Sequence, residues 1–178
     1  SYGDFDIDRS DIDLMAFLKN SASPQEIELI KQLHLDIERE NNKWSKRFEC
    51  SFTAVDALKD VITSPKEPRP YISNSIFYPD RIYGNEWVIN NFFLYKYGIA
   101  LIGPDFKTLA SPVDIKDLRE ACIRDLHKEW EPILTDPSLS DYLDDGHQQS
   151  YVVLNLCRIL YTVLCNDTSC RKKIAYVN

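Results

Sequence analysis

The sequence lacks the basic excess that marks proteins whose main partner is a nucleic acid. Its 178 residues carry a formal net charge of −7. A protein that binds DNA or RNA usually neutralises the phosphate backbone with a broad basic surface. We therefore expect no nucleic acid as the main partner. A negatively charged surface suits a small cationic ligand better.

Long hydrophobic runs are also missing. A helix needs about 20 mostly apolar residues to cross a bilayer, and the longest apolar stretches, such as residues 159–165, are much shorter. The sequence shows no signal peptide pattern. It therefore predicts a protein without a membrane partner.

The cysteines and histidines form none of the spacings typical of zinc sites. The five cysteines are scattered, odd in number and mostly placed within apolar runs. This pattern favours free thiols in a reducing compartment, which predicts a cytoplasmic location. No histidine partner for a thiol nucleophile is evident.

The first third of the chain has the pattern of a small α/β arrangement. Residues 11–18 alternate and then become apolar, and residues 48–54 alternate throughout, so each predicts a half-buried strand. Between them, Ser23-Pro24-Gln25-Glu26 predicts the capped start of a helix. The buried side of that helix is expected to carry Ile27, Ile30, Leu33 and Ile37.

Residues 64–70 are rich in proline and predict an extended connection. Beyond it, helical spacing covers residues 86–97, 115–130 and 150–165. We therefore expect an α+β protein with a sheet domain at 1–64 and an all-α helical bundle at 71–178.

One predicted helix carries an unexpected charge. Residues 150–165 are apolar nearly all round, which predicts deep burial, yet Arg158 lies within them on a polar stripe with Asn155 and Thr162. A buried arginine requires an anion. Arg158 is therefore a candidate anion-binding residue.

Three carboxylates are the candidates for chemistry. Alternation places Asp11 and Asp13 on the same side of the first strand, and Glu49 on the polar face of the second. Such a pair can clamp Mg²⁺, while a third carboxylate can bind metal or accept a proton as general base. An Asp-x-Asp pair alone is also common at solvated strand starts. The functional interpretation therefore depends on the combination with Glu49.

The combination of Ser1, a short loop, Ser10-Asp11-Ile12-Asp13-Leu14 and the Glu49 strand resembles the polymerase-beta-like nucleotidyltransferase superfamily. More narrowly, the chain resembles the streptomycin and spectinomycin adenylyltransferases, which join a catalytic sheet domain to a helical C-terminal domain. The matching stretches are SDIDL at 10–14, ALIGP at 100–104, SPVDIKDLREA at 111–121 and YVVLNLCRILYTV at 151–163.

The resemblance implies roles for particular residues. Asp11 and Asp13 would hold Mg²⁺, and Glu49 would be the general base and a further metal ligand. Four residues would bind the nucleotide of the co-substrate ATP, namely Ser1, Ser10, Arg158 and Arg171. The glycine before Ser1 and the family's opening helix are lacking, and further helices are expected after Asn178, so the resemblance implies that both domains are truncated.

The acceptor side departs from the family. Gln148 stands where the resemblance predicts an acidic drug-binding residue, and Asp141, Asp144 and Asp145 are possible substitutes. The expected activity is AMP transfer from ATP to a hydroxyl of a small cationic acceptor, with an aminoglycoside such as streptomycin or spectinomycin as first choice and antibiotic resistance as its role. Two alternatives stay open: a catalytically silent nucleotide-binding regulatory module, and AMP transfer to a protein.

Overall fold

Four strands form a single mixed sheet in the order β1-β2-β3-β4. β1 (Ile12–Leu18) pairs in parallel with β2 (Phe48–Ala54), and β2, β3 (Arg69–Ser73) and β4 (Ile76–Arg81) are antiparallel. The computed structural model describes residues 5–8, 10–136, 138–139 and 144–165. The α+β class and the first two strands are therefore as predicted.

The connection between the parallel strands contains α1 (Pro24–Arg39). Its predicted capping box is confirmed, because the Glu26 backbone N–H donates to Ser23 Oγ over 3.3 Å and the Ser23 backbone N–H donates to Glu26 Oε2 over 2.7 Å. The parallel pairing of β1 and β2 requires such a crossover.

One face of the sheet carries the core of this part of the chain. Cys50, Phe52 and Ile72 are buried there. The partly buried residues packed against them are Leu14, Ala16, Leu18, Ile30, Phe48 and Phe77. The side of α1 that meets the sheet therefore includes Ile30.

The predicted buried stripe of α1 is wrong at one position. Leu33 is 50% exposed, whereas His34 is only 5% exposed and its ring stacks on Phe77 with 6.5 Å between ring centroids. Ile30, His34 and Ile37 follow the i, i+4, i+7 spacing of one helix face. On the buried side of α1, His34 thus takes the place that hydrophobicity predicted for Leu33.

The chain divides into two compact units after Gly84, rather than in the proline-rich segment at 64–70. The first, called the sheet unit, comprises Phe5–Gly84 and Lys107–Ser111. The expected domain limits of 1–64 and 71–178 would leave β3 and β4 outside the sheet domain. Those strands hydrogen-bond to the sheet, so the boundary moves toward the C-terminus. A 3₁₀ turn (Val55–Lys59) follows β2.

The second unit contains Asn85–Phe106 and the described residues from Pro112 onward. Its helices are α2 (Glu86–Tyr97), α3 (Ile115–Asp125), α4 (Glu131–Thr135) and α5 (Gly146–Cys165), with a π-helical segment (Leu126–Trp130) between α3 and α4. α3 contacts both α2 and α5. Trp87, Val88, Leu118 and Ala121 are almost completely buried.

The expectation that residues 150–165 are buried all round is wrong. Val152, Leu154 and Ile159 are buried, but Tyr151, Val153, Leu160 and Leu164 are exposed. The helix is apolar on both sides, and hydrophobicity alone does not distinguish a packed side from an exposed one.

Candidate carboxylate site

Asp13 and Glu49 occupy equivalent places at the N-terminal ends of the two parallel strands. Each is the second residue of its strand, and the strand register pairs Asp13 with Glu49. Paired residues of adjacent strands project to the same face. This is the face opposite the apolar core, because Leu14 and Cys50, the next residues of each strand, pack into that core.

The carboxylates are near enough to influence one another. The pKa of Asp13 is raised by desolvation first and then by the negative charges of Glu49 and Asp11. The Asp13 side chain nevertheless keeps an exposed surface, and Asp11, also exposed, lies immediately before β1. The structure therefore places the three predicted carboxylates at one end of the parallel pair. Each would be stabilised by a nearby cation.

Glu49 makes two hydrogen bonds to side chains of β3. Ser73 Oγ donates to Glu49 Oε1 over 2.6 Å, and Tyr71 OH donates to Glu49 Oε2 over 3.3 Å. Burial raises the pKa of the Tyr71 hydroxyl; the contact with Ser73 and the charge of Arg81 lower it, and the charge and hydrogen bond of Glu49 raise it. Both oxygens of Glu49 thus have a hydroxyl partner on β3.

Within the described part of the chain, no group of three or more His, Cys, Asp or Glu side chains is arranged to hold a metal ion. Magnesium, however, commonly takes one or two carboxylates together with phosphate oxygens and water, rather than a cage of protein ligands. Asp11 and Asp13 fit that donor set. Glu49, expected as base and as metal ligand, has its oxygens engaged by hydroxyls.

Sequence reasoning missed Ser73 and Tyr71, because it interpreted the segment before them as a linker. A pattern was nevertheless present: in Arg69–Ser73, the polar residues at 69, 71 and 73 alternate with Pro70 and Ile72. Such alternation is typical of a half-buried strand. The neighbouring prolines led instead to the interpretation of this segment as an extended connection.

A second group of polar side chains continues along the same face of the sheet. Ser51 Oγ and Thr53 Oγ1 both hydrogen-bond with Tyr83 OH, at 2.5 and 2.6 Å. Arg69 donates from Nε to Ser51 Oγ over 2.8 Å. These four side chains are buried, so the network makes the polar face of β2 and β3 rigid.

Ser10, which the resemblance predicts to bind the nucleotide, hydrogen-bonds to Asp6 within its own loop. Ser10 Oγ accepts a hydrogen bond from the Asp6 backbone N–H over 2.9 Å, and Ser10 N–H donates to Asp6 O over 2.8 Å. Ser10 thus shapes the loop that precedes Asp11. Ser1 and Arg171, also predicted to bind the nucleotide, lie outside the described residues.

In the second unit, Arg158 is half-buried rather than deeply buried. Its Nε is buried and has no hydrogen-bond partner among the described residues. The other members of its stripe are satisfied locally: Asn155 Nδ2 donates to Tyr151 O over 2.9 Å, and Thr162 Oγ1 donates to Arg158 O over 2.9 Å. The buried donor on Arg158 therefore stands out within α5.

The predicted acceptor residues lie at the start of the same helix. Asp144 and Asp145 are exposed just before α5, and Gln148 is half-buried in its first turn. The Asp145 carbonyl accepts a hydrogen bond from the Gln149 N–H over 2.9 Å. Asp141 lies outside the described residues.

The sheet unit also has a pocket of about 440 Å³ at the other end of β1 and β2. Its lining includes Ser21, Thr53, Asp60, Arg69 and Tyr83. None of the predicted site residues lines it. The pocket and the carboxylates are therefore separate features of the unit.

Comparisons with known proteins give no family assignment: no protein-family model matches the chain, and no curated protein is significantly similar to it. Among the described residues, none of the helices combines the length and the hydrophobicity needed to span a membrane.

Proposed function

We propose that the protein is a magnesium-dependent nucleotidyltransferase that moves AMP from ATP to a hydroxyl of a small cationic acceptor. The observation that carries the proposal is the register pairing of Asp13 with Glu49, beside Asp11, on the polar face of the sheet. In this proposal the sheet unit is the catalytic domain, and the helices of the second unit form an all-α C-terminal domain.

The chemistry divides among the carboxylates. Asp11 and Asp13 would hold Mg²⁺, which would neutralise charge on the phosphates of ATP. Glu49 would accept the proton of the acceptor hydroxyl. The acceptor oxygen would then bond to the α-phosphorus, and the bond to the pyrophosphate leaving group would break.

Supporting features extend to the nucleotide and the acceptor. The partnerless buried Nε of Arg158 suits a phosphate oxygen, and the resemblance of Ser1, Ser10 and Arg171 to nucleotide-binding positions adds to this. The formal charge of −7 suits a cationic acceptor. Asp144, Asp145 and Gln148 are the proposed acceptor residues, with streptomycin or spectinomycin as first choice and the cytoplasm as the location.

The proposal is tested with ATP labelled at the α-phosphate, Mg²⁺ and a panel of aminocyclitol and aminoglycoside acceptors. Wild-type protein should transfer label to at least one acceptor. Asp11→Asn and Asp13→Asn should abolish transfer, and Glu49→Gln should reduce kcat by about 10²–10⁴-fold, the usual contribution of a general base. Asp56→Asn, an exposed aspartate of the same unit, serves as the matched control.

The alternatives give different outcomes in the same experiment. Magnesium-dependent ATP binding without transfer to any acceptor would indicate a nucleotide-binding regulatory module. Label on a macromolecule after addition of cell extract would indicate AMP transfer to a protein. Equal turnover by wild type and the Asp11 and Asp13 variants, in protein shown to be folded, would rule out the mechanism.

A further inference from the structure

We propose that Ser73 and Tyr71 are positioning residues, which hold Glu49 toward β3 as a base and keep it from coordinating the metal. This inference rests on the proposed function, in which Asp11 and Asp13 hold Mg²⁺. It assigns roles to two side chains that the sequence pattern did not single out.

The geometry of the two hydrogen bonds carries the argument. Each carboxylate oxygen of Glu49 accepts from a different hydroxyl, Ser73 Oγ at 2.6 Å and Tyr71 OH at 3.3 Å. Ser73 is only 8% exposed, so water competes little for its hydroxyl. Two contacts from one paired strand fix both the position and the rotation of the carboxylate.

The residues near Glu49 explain why its carboxylate must be held in position. Glu49 is paired in register with Asp13, so a divalent cation on Asp13 would attract Glu49 as an additional ligand. A carboxylate oxygen bound to a metal is a poor proton acceptor. The hydroxyls of β3 oppose that attraction.

The hydrogen bonds leave Glu49 able to act. An ionised carboxylate has about four lone-pair sites on its two oxygens, and the hydroxyls occupy one on each oxygen. A site on each oxygen therefore stays available for the proton of an acceptor hydroxyl, and it is the placement of Glu49 toward β3, not the filling of its lone pairs, that opposes metal binding. Ser73 and Tyr71 therefore fix the position of Glu49 and leave it able to accept a proton.

Tyr71 is itself held in place on the sheet. Its ring lies 5.4 Å from the guanidinium carbon of Arg69 and 5.1 Å from that of Arg81. Such cation–π contacts orient an aromatic ring. Tyr78, its register partner on β4, provides a matched tyrosine, because no hydrogen bond joins its hydroxyl to Glu49 in the described residues.

The experiment measures Mn²⁺ binding by electron paramagnetic resonance, alongside AMP transfer, in Ser73→Ala, Tyr71→Phe and Tyr78→Phe. Ser73→Ala should tighten Mn²⁺ binding by about threefold or more, because Glu49 would then add its charge to the metal ligands and ligand charge count sets affinity at carboxylate sites. It should also lower kcat by about 10–100-fold, the usual effect of a partner that orients a site residue, with little change in KM for ATP. Tyr71→Phe should move both quantities in the same directions, and Tyr78→Phe neither.

A merely structural role for Ser73 would lower activity and metal affinity together, so opposite changes distinguish positioning from folding. Ser73→Thr, which keeps a hydroxyl, should restore both quantities toward wild type. Circular dichroism confirms that each variant is folded, and the conservative Tyr71→Phe variant decides the matter if Ser73→Ala does not fold.

Three results would overturn the inference. They are unchanged or weaker Mn²⁺ binding in both Ser73→Ala and Tyr71→Phe, a loss of Mn²⁺ affinity in Glu49→Gln as large as that in Asp13→Asn, and no Mn²⁺ binding by wild type. If the Mn²⁺ affinities change as expected but wild type transfers no AMP, the proposed function and the base role of Glu49 fail, and only the part of the inference that keeps Glu49 off the metal stands.

Discussion

Asp13 on β1 and Glu49 on β2 are register partners, although 36 positions separate them in the chain. The pKa of Asp13 is raised by desolvation and then by the charges of Glu49 and Asp11. The folded chain therefore concentrates negative charge at one end of two strands. A cation that binds there would relieve repulsion between side chains that the sheet forces together.

The first prediction concerns stabilisation by magnesium. A ligand that binds only the folded state at ten times its Kd stabilises it by about 1.4 kcal/mol, which corresponds to roughly 3–6 °C in Tm for a chain of this size. Saturating Mg²⁺ should raise the Tm of wild type by that order, measured by differential scanning fluorimetry. Asp13→Asn should lose most of the rise, whereas Asp56→Asn should keep it; an equal rise in both would contradict the assignment.

A second prediction concerns the core of the sheet unit. Ile72 is 1% exposed and packs in the cluster with Cys50 and Phe52, whereas Ile76 on the adjacent strand is 51% exposed. Ile72→Ala should lower the free energy of unfolding by about 2–5 kcal/mol, since it leaves a cavity. Ile76→Ala should cost far less. Urea denaturation of both variants tests this, and similar losses would show that β3 is not packed as described.

A third prediction concerns pH dependence in the second unit. The pKa of Asp125 is raised chiefly by desolvation, with a hydrogen bond from Trp130 opposing the shift and the charges of Glu129 and Glu86 adding to it. A raised folded-state pKa contributes stability that is present below the unfolded value near 3.8 and is lost as pH rises through the folded value. Asp125→Asn should therefore be more stable than wild type at neutral pH.

That gain should shrink as the pH falls toward 4, where the wild-type carboxyl becomes protonated. Asparagine retains an acceptor oxygen for Trp130 Nε1, which donates to Asp125 Oδ2 over 2.7 Å. Trp130→Phe, which removes the donor, should instead destabilise the protein most at neutral pH. Unfolding free energies measured from pH 4 to 7 check both signs; a gain for Asp125→Asn that is the same at every pH would contradict the desolvation argument.

The parts of the fold that the sequence predicts are those governed by local pattern. β2 and the capped start of α1 match their predicted positions because alternation and the Ser23–Glu26 box are local. The carboxylates were also predictable, since strand alternation alone assigns Asp13 and Glu49 to polar faces.

The missed parts depend on contacts between distant segments. β3 is five residues long and contains Pro70, so its composition favoured a linker. Its pairing with β2 nevertheless makes this segment a strand. The hydrogen bonds that Ser73 and Tyr71 donate to Glu49 follow from that pairing. Likewise, only the packing of α1 against Phe77 shows that His34 is buried and Leu33 is not.

The two faces of the β1–β2 pair have opposite chemistry and share one register. A one-residue slip of β1 would turn Leu14 out of the core and Asp13 into it, because alternate residues point to opposite faces. A single insertion within the strand would thus destroy hydrophobic packing and carboxylate spacing in one event. The stability of the interior and the spacing of Asp13 from Glu49 therefore depend on the same strand register.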